Sequence, residues 1–300
     1  MNGGHPALPP GLTGAPVYLD YNATTPVDPR VAEAMWPHLT DFFGSPSSSH
    51  HYSAEPRRAP AEARAQVAAL VGARADEAVF TASGSEADLL ALCGTALAHG
   101  CGALFHCDAA QAVGKIPLDV EELGVDLLTV VGHKMCAPKG AAALYVRDGL
   151  RLEPVVHGGG QEHGVRAGTE NVALAVALGA AGLAADDLAD GAPARIAALR
   201  DELHQSLAAA LPGCVRLNGP ERKRLPNTLN VSIDDALGHE LLAAAHGIAT
   251  SAGSACHRGN HTPFDLARSL GALRLSLGRW STADDIETTA DAAIKSATER

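Results

Sequence analysis

The chain has 300 residues, 46% of them apolar but only 4% aromatic, and a formal charge of −11. That length accommodates one large or two ordinary domains around an aliphatic core, and the negative charge argues against nucleic acid or an anionic membrane as the main partner. No apolar stretch reaches the ~18 residues of a membrane span, and residues 1–14 lack the basic and apolar blocks of a secretory leader.

In chain order, apolar periodicity predicts amphipathic helices over 28–42 and 56–73, then a strand over 77–81. The small-residue turn Ala82-Ser83-Gly84-Ser85 leads into a helix over 85–97. Strands follow over 103–107, 127–131 and 141–146. Two Ala/Leu-rich helices are expected over 173–186 and 194–211, then a strand over 225–232 and a helix over 239–246. The glycine-bearing loop Ser251 to His257, a strand over 273–277 and a last helix from 282 complete the chain, which has no internal repeats. The expected organisation is a large domain over 15–185, a smaller α+β domain over 186–300, and an N-terminal extension over 1–14.

Alternating strands and helices in the first half are the pattern of an α/β domain whose mostly parallel sheet is covered on both faces. Such sheets bind ligands at the carboxyl ends of their strands. Asp108, Lys134 and the Ser83-Gly84-Ser85 turn all fall at such ends. Ser85 also opens a helix, where free N–H groups and the dipole favour a phosphate, although an ordinary N-cap serine sits in the same position.

Lys134 closes Gly132-His133-Lys134 behind the apolar run 127–131, and Asp108 ends the run 103–107 with Gln111 just beyond. A lysine and an aspartate at one sheet edge suit pyridoxal phosphate (PLP). Its aldehyde needs an amine for the Schiff base, and its pyridine nitrogen needs a carboxylate to stay protonated. The bland alternatives are a helix-capping aspartate and a solvated lysine. The six cysteines (93, 101, 107, 136, 214 and 256) show neither CxxC nor zinc-ligand spacing, and the fourteen histidines form no HExxH set. No metal site is expected, and a reducing, cytoplasmic location fits these cysteines.

Further motifs extend the pattern: Tyr18 to Pro26, Gly44-Ser45-Pro46-Ser47-Ser48, Ser83-Gly84-Ser85-Glu86 and His106 to Gln111. Then come Gly132-His133-Lys134, His157 to Glu162, Arg166-Ala167-Gly168-Thr169-Glu170-Asn171, Ser251 to His257 and Leu273 to Arg279. Taken in order over nearly the whole chain, they resemble the cysteine desulfurases and selenocysteine lyases of the class V aminotransferase group. The resemblance implies the fold of PLP-dependent transferases of fold type I, and the removal of sulfur from L-cysteine, or of selenium from L-selenocysteine, leaving alanine. An aminotransferase or epimerase of the same fold is a more distant alternative, against which Cys256 stands.

The resemblance also implies a role for each matching position. Lys134 would carry the cofactor and shuttle the α proton, Asp108 would pair with the ring nitrogen, and Gln111 would bond the ring hydroxyl. Ser85 and His133 would hold the phosphate, and Thr169 would reach the phosphate of a neighbouring subunit in a homodimer. Arg274 would clamp the substrate carboxylate, and Asn22 would line the substrate end. Cys256 would attack the substrate sulfur as a thiolate, with His257 beside it, and pass a persulfide to a sulfur-acceptor protein.

The sequence departs from the family between the helix after Ser85 and the strand before Asp108. Family members carry there a long stretch with three strands of the large sheet, a histidine that stacks on the cofactor ring and an asparagine near the ring hydroxyl. The four remaining strands are expected to pair as one contiguous sheet, with an apolar, uncovered edge over 103–107. A second shortening leaves seventeen residues between Cys256 and Arg274. A truncated, inactive relative is therefore the alternative to an active lyase.

Overall fold

A computed structural model describes residues 8–13, 16–95, 103–182, 191–252 and 272–299. Nine strands occur among them. They are β1 (Val17–Tyr18), β2 (Ala78–Thr81), β3 (His106–Asp108), β4 (Leu127–Val131), β5 (Ala142–Val146), β6 (Val215–Leu217), β7 (Thr228–Ile233), β8 (Ile248–Ala249) and β9 (Ala272–Ser276). The chain divides into two compact units, Pro26–Ala189 and Met1–Thr25 with Asp190–Arg300. Residues 16–25, expected in the first unit, group with the C-terminal one. There β1 pairs in parallel with β8, Val17 opposite Ile248, and Asp20 bridges Ser276.

In the unit 26–189 the four strands form one contiguous sheet in the order β2-β5-β4-β3. Strands β2 and β4 both run antiparallel to β5, and β3 runs parallel to β4. Three strands therefore point the same way and β5 alone is reversed. The chain between β4 and β5 (132–141) is too short for the helical crossover that a parallel neighbour needs. The edge falls on β3, as expected, but pairing starts later than 103. The Asp126 carboxylate accepts the Phe105 N–H at 2.8 Å, so the ladder begins at His106.

Alternation along β4 splits the core between the two faces. Leu128 and Val130 pack with Val67 and Leu178 on one side, and Leu127 packs with Val79, Leu90 and Leu144 on the other. The first side is covered by α3 (Ala54–Ala69) and the helix Val172–Ala180, the second by α4 (Gly84–Leu89) and its π-helical continuation Leu90–Gly94. Truncating a fully buried leucine such as Leu128 would cost about 2–5 kcal/mol. The single helix expected over 28–42 is two, α1 (Pro29–Met35) and α2 (Pro37–Thr40). Pro37 lacks the N–H that would continue the first helix.

In the other unit, β6-β7-β9 is an antiparallel sheet. The long helices Ala192–Ala210 and Ala283–Thr298 contribute Leu203, Leu207, Ile286 and Ala290 to a core with Leu229, Val231 and Leu275. Thr282 caps the last helix by accepting the Asp285 N–H at 3.2 Å, while the Asp285 carboxylate accepts the Thr282 N–H at 2.9 Å.

Candidate active site

Strand β4 is buried along its whole length, which suits its unbroken apolar and β-branched sequence. It delivers the chain into a single 3-10 turn, Gly132–Lys134. Glycine is required at its start, since a Cβ on Gly132 would lie 2.8 Å from the Ala141 carbonyl oxygen and 3.1 Å from Leu178. The Gly132 carbonyl accepts N–H groups from Met135 at 2.9 Å and Ala137 at 3.0 Å, and the Cys136 carbonyl accepts from Asp28 at 3.0 Å. Lys134 and His133 thus stand on a stiff, internally bonded turn. Burial pushes the His133 imidazole below its ordinary pKa, and the positive charges of Lys134 and Lys139 push it the same way.

The Ser83–Glu86 turn is seated at the same strand end. A Cβ on Gly84 would meet Val131 at 2.6 Å, so only glycine lets the start of α4 approach the last residue of β4. The helix cap is Ser83 rather than Ser85. The Ser83 hydroxyl accepts the Glu86 N–H at 3.1 Å, and the Glu86 carboxylate reaches back to the Ala82 N–H at 2.9 Å. Ser85 therefore lies inside the first turn, its hydroxyl not needed as the cap.

Glu86 also receives Arg166, from Nε at 2.7 Å and Nη2 at 3.3 Å. Burial alone would raise the Glu86 pKa, but Arg166 and the Ala82 N–H outweigh it and hold the carboxyl below its usual range. This pair fastens the Gly168-Thr169 loop beside the end of β2. Thr169 and Arg166 line a cavity of about 240 Å³ with Thr81, Ala82 and Glu162. Glu162 is buried and bound by Arg64 through two contacts of 2.6 and 2.7 Å, and it accepts the Phe80 N–H at 2.9 Å.

Asp108 is exposed at the end of the edge strand, opposite Thr129, and its carboxylate accepts the Ala110 N–H at 2.9 Å. The Gln111 amide oxygen accepts from Lys115 Nζ at 2.7 Å. Burial, and the Asp108 charge after it, raise the Cys107 thiol pKa, so this neighbouring cysteine is a poor thiolate.

The other unit holds the residues expected to meet substrate. Arg274, on β9, donates from Nη2 to Asp20 at 2.8 Å. Its N–H donates to the Ser251 carbonyl at 2.7 Å, which anchors the segment leading toward Cys256. Cys256 and His257 lie outside the described residues. Asn22 is buried, and its amide donates to Thr228 at 2.8 Å and accepts from Asn227 at 2.9 Å. The sequence reading missed three ion pairs: Glu86–Arg166, Arg64–Glu162 and Asp20–Arg274. None left a signal of its partner, since the Ser-x-x-Glu spacing marks only the reach of Glu86 back to its own turn.

The description "Aminotransferase class-V" matches residues 17–96 and 94–288. A cysteine desulfurase of Trichormus azollae is 36% identical over 361 residues, spanning 90% of each chain. The chain belongs to the class-V aminotransferase family, among the cysteine desulfurases. The mitochondrial cysteine desulfurase of Drosophila melanogaster is 34% identical, over 94% of this chain and 81% of its own. Among solved structures, a NifS-like protein superposes with a TM-score of 0.83 at 25% identity, covering 93% of this chain and 98% of that one. The apo cysteine desulfurase of Thermococcus onnurineus NA1 shares the fold at 19% identity, with a TM-score of 0.82 over 97% of this chain and 96% of its own. The two family matches meet at 94–96. The 361-residue alignment takes in only 90% of 300 residues, about 270, so about ninety positions of that desulfurase have no counterpart here.

Proposed function

We propose that the chain is a PLP-dependent cysteine desulfurase that takes sulfur from L-cysteine, releases L-alanine and holds the sulfur as a persulfide on Cys256. The observation that carries this reading is the rigid Lys134 turn on a fully buried strand, with the capped Ser83–Glu86 turn seated against Val131. The donor set fits the cofactor group by group. Lys134 offers an amine to the aldehyde, Asp108 a carboxylate to the ring nitrogen and Gln111 an amide to the ring hydroxyl. Ser85 and His133 offer donors to the phosphate, and Thr169 offers one to the phosphate of the partner subunit.

When bound, PLP supplies an electron sink that weakens the bonds of the substrate α carbon. The remaining work falls to the protein. Arg274 holds the substrate carboxylate, and Asn22 braces the segment beside it. Lys134 moves the α proton. The Cys256 thiolate attacks the substrate sulfur: the S–S bond forms as the C–S bond breaks, and the carbon takes up a proton to leave as alanine. The persulfide then passes to an acceptor protein.

A homodimer in the cytoplasm belongs to this reading. Trp36, Leu39, Phe43 and Tyr52 are exposed on the unit 26–189, with the Phe43 and Tyr52 rings 5.6 Å apart, and exposed apolar groups of this kind mark partner surfaces.

The test is the absorbance of the purified chain with added PLP, before and after cysteine, together with alanine release. A visible band that shifts with cysteine and is absent in Lys134→Ala supports the reading. A spectrum of free PLP supports the second reading, an inactive shortened relative, which the roughly ninety missing positions favour. Running L-selenocysteine beside L-cysteine decides between the two substrates.

A further inference from the structure

Strand β3 carries Asp108, yet it is three residues long, lies at the sheet edge and, among the described residues, pairs only with β4. Phe105, just before it, is 55% exposed. Short edge strands are the part of a sheet that opens most readily. A carboxylate that must face a ring nitrogen has to be held within about 0.5 Å. Something other than the ladder must steady it.

The side chains beneath Asp108 form such a brace. Thr129 on β4 is fully buried and donates its hydroxyl to Asp88 Oδ1 on α4 at 2.8 Å. His106 Nε2 on β3 lies 3.0 Å from the same Thr129 oxygen and 3.6 Å from Asp88 Oδ1. A hydroxyl has one proton. With that proton given to Asp88, His106 Nε2 must carry its own and donate it to Thr129. Asp108 stands opposite Thr129 in the parallel register, and strand alternation puts His106 and Asp108 on one face. The chain of bonds therefore ties the edge strand to its neighbour and to α4, one alternate residue below the carboxylate.

We infer that Asp88, Thr129 and His106 are positioning residues that lock β3, and with it the Asp108 carboxylate, against β4 and α4. The inference rests on the PLP reading only for what Asp108 faces. Neither spacing nor composition reveals this link, because its three members come from three different elements.

The test uses the full chain in two states. Without cofactor, hydrogen–deuterium exchange is followed at 106–108 and at 142–146 in the parent, Thr129→Val, Thr129→Ser and Asp88→Ala. The expected result is exchange at 106–108 at least about tenfold faster in Thr129→Val and Asp88→Ala, with 142–146 unchanged and Thr129→Ser like the parent. With PLP, Thr129→Val should bind about tenfold more weakly and show a displaced visible band, again restored in Thr129→Ser. Unchanged exchange at 106–108, or equal acceleration through the whole sheet, overturns the brace. Faster exchange with parental PLP affinity overturns its link to Asp108. A parent chain that takes up no PLP overturns the cofactor reading, while the exchange comparison still decides the brace.

Discussion

Arg274 is paired with Asp20, Nη2 to Oδ1 at 2.8 Å, while its Nε is buried with no hydrogen-bond partner among the described residues. A buried N–H left without an acceptor costs about 1–3 kcal/mol. Asp20 thus neutralises and orients one arm of the guanidinium, and among the described residues its Nε–H is left to an incoming acceptor. A substrate carboxylate is that acceptor in the proposed reaction. Arg274→Lys keeps the charge but loses the fork. Charge-assisted hydrogen bonds contribute roughly 1.5–3 kcal/mol, so kcat/KM for cysteine should fall about ten- to a hundredfold. PLP affinity should not change. Alanine release and PLP titration, run on the same preparation, check both halves.

The His133 imidazole sets a pH dependence of stability in the cofactor-free chain. Burial and the charges of Lys134 and Lys139 depress its folded-state pKa below the ordinary 6.5. As pH falls through 6.5 the unfolded chain takes up this proton first. The unfolded state then binds more protons, and stability declines on acidification. Above 6.5 both states are neutral at this position and its contribution is flat. His38 and His204 are shifted in the same direction, so the informative quantity is a difference. His133→Asn should show a shallower fall in Tm between pH 6.5 and pH 5 than the parent. Parallel curves would show that His133 titrates as it does in the unfolded chain.

Glu162 is a buried carboxylate that lines the same cavity as Thr169. It accepts two bonds from Arg64 and one from the Phe80 N–H, and the Arg64 guanidinium also lies 4.6 Å over the Phe80 ring. Removing one charge from a buried pair strands the other, at a cost of about 3–5 kcal/mol. Glu162→Gln should lower the urea midpoint accordingly. Glu86→Gln, at a half-buried pair nearby, should lower it less.

The edge strand carries an association hazard. Phe105 is exposed beside the unpaired side of β3, and Leu92 on the adjoining helical segment is 61% exposed. A lysine at such an edge discourages pairing with another chain. Phe105→Lys should leave the unfolding free energy within about 0.5 kcal/mol of the parent and reduce light scattering on concentration. Equal scattering would place the sticky surface elsewhere, with the exposed Trp36 and Phe43 group next to be tested.

Much of the catalytic frame is local and could be read without coordinates. The run 127–131 is apolar and β-branched, which makes it a buried strand, and the Gly-His-Lys triplet must then leave at its end. The resemblance also led to the expectation that the four remaining strands pair as one sheet with β3 at its edge, and the order β2-β5-β4-β3 agrees with it. The capping serine was legible in principle. The Ser-x-x-Glu spacing points to Ser83 rather than Ser85, and the bonds to the Glu86 N–H and from its side chain bear this out.

Chain periodicity determined the element types and which residues stand at strand ends, since each depends on neighbours a few positions away, while the sheet edge was an expectation of the family resemblance. Tertiary structure alone decided the partners. Glu86 and Arg166 are 80 residues apart, and Asp20 and Arg274 are 254 apart. The same holds for residues 16–25, which join the C-terminal unit through a two-residue strand too short to show a period. Pairing at such separations is set by which backbone segments close on one another, and the side chains that meet there carry no mark of it in their own local sequence.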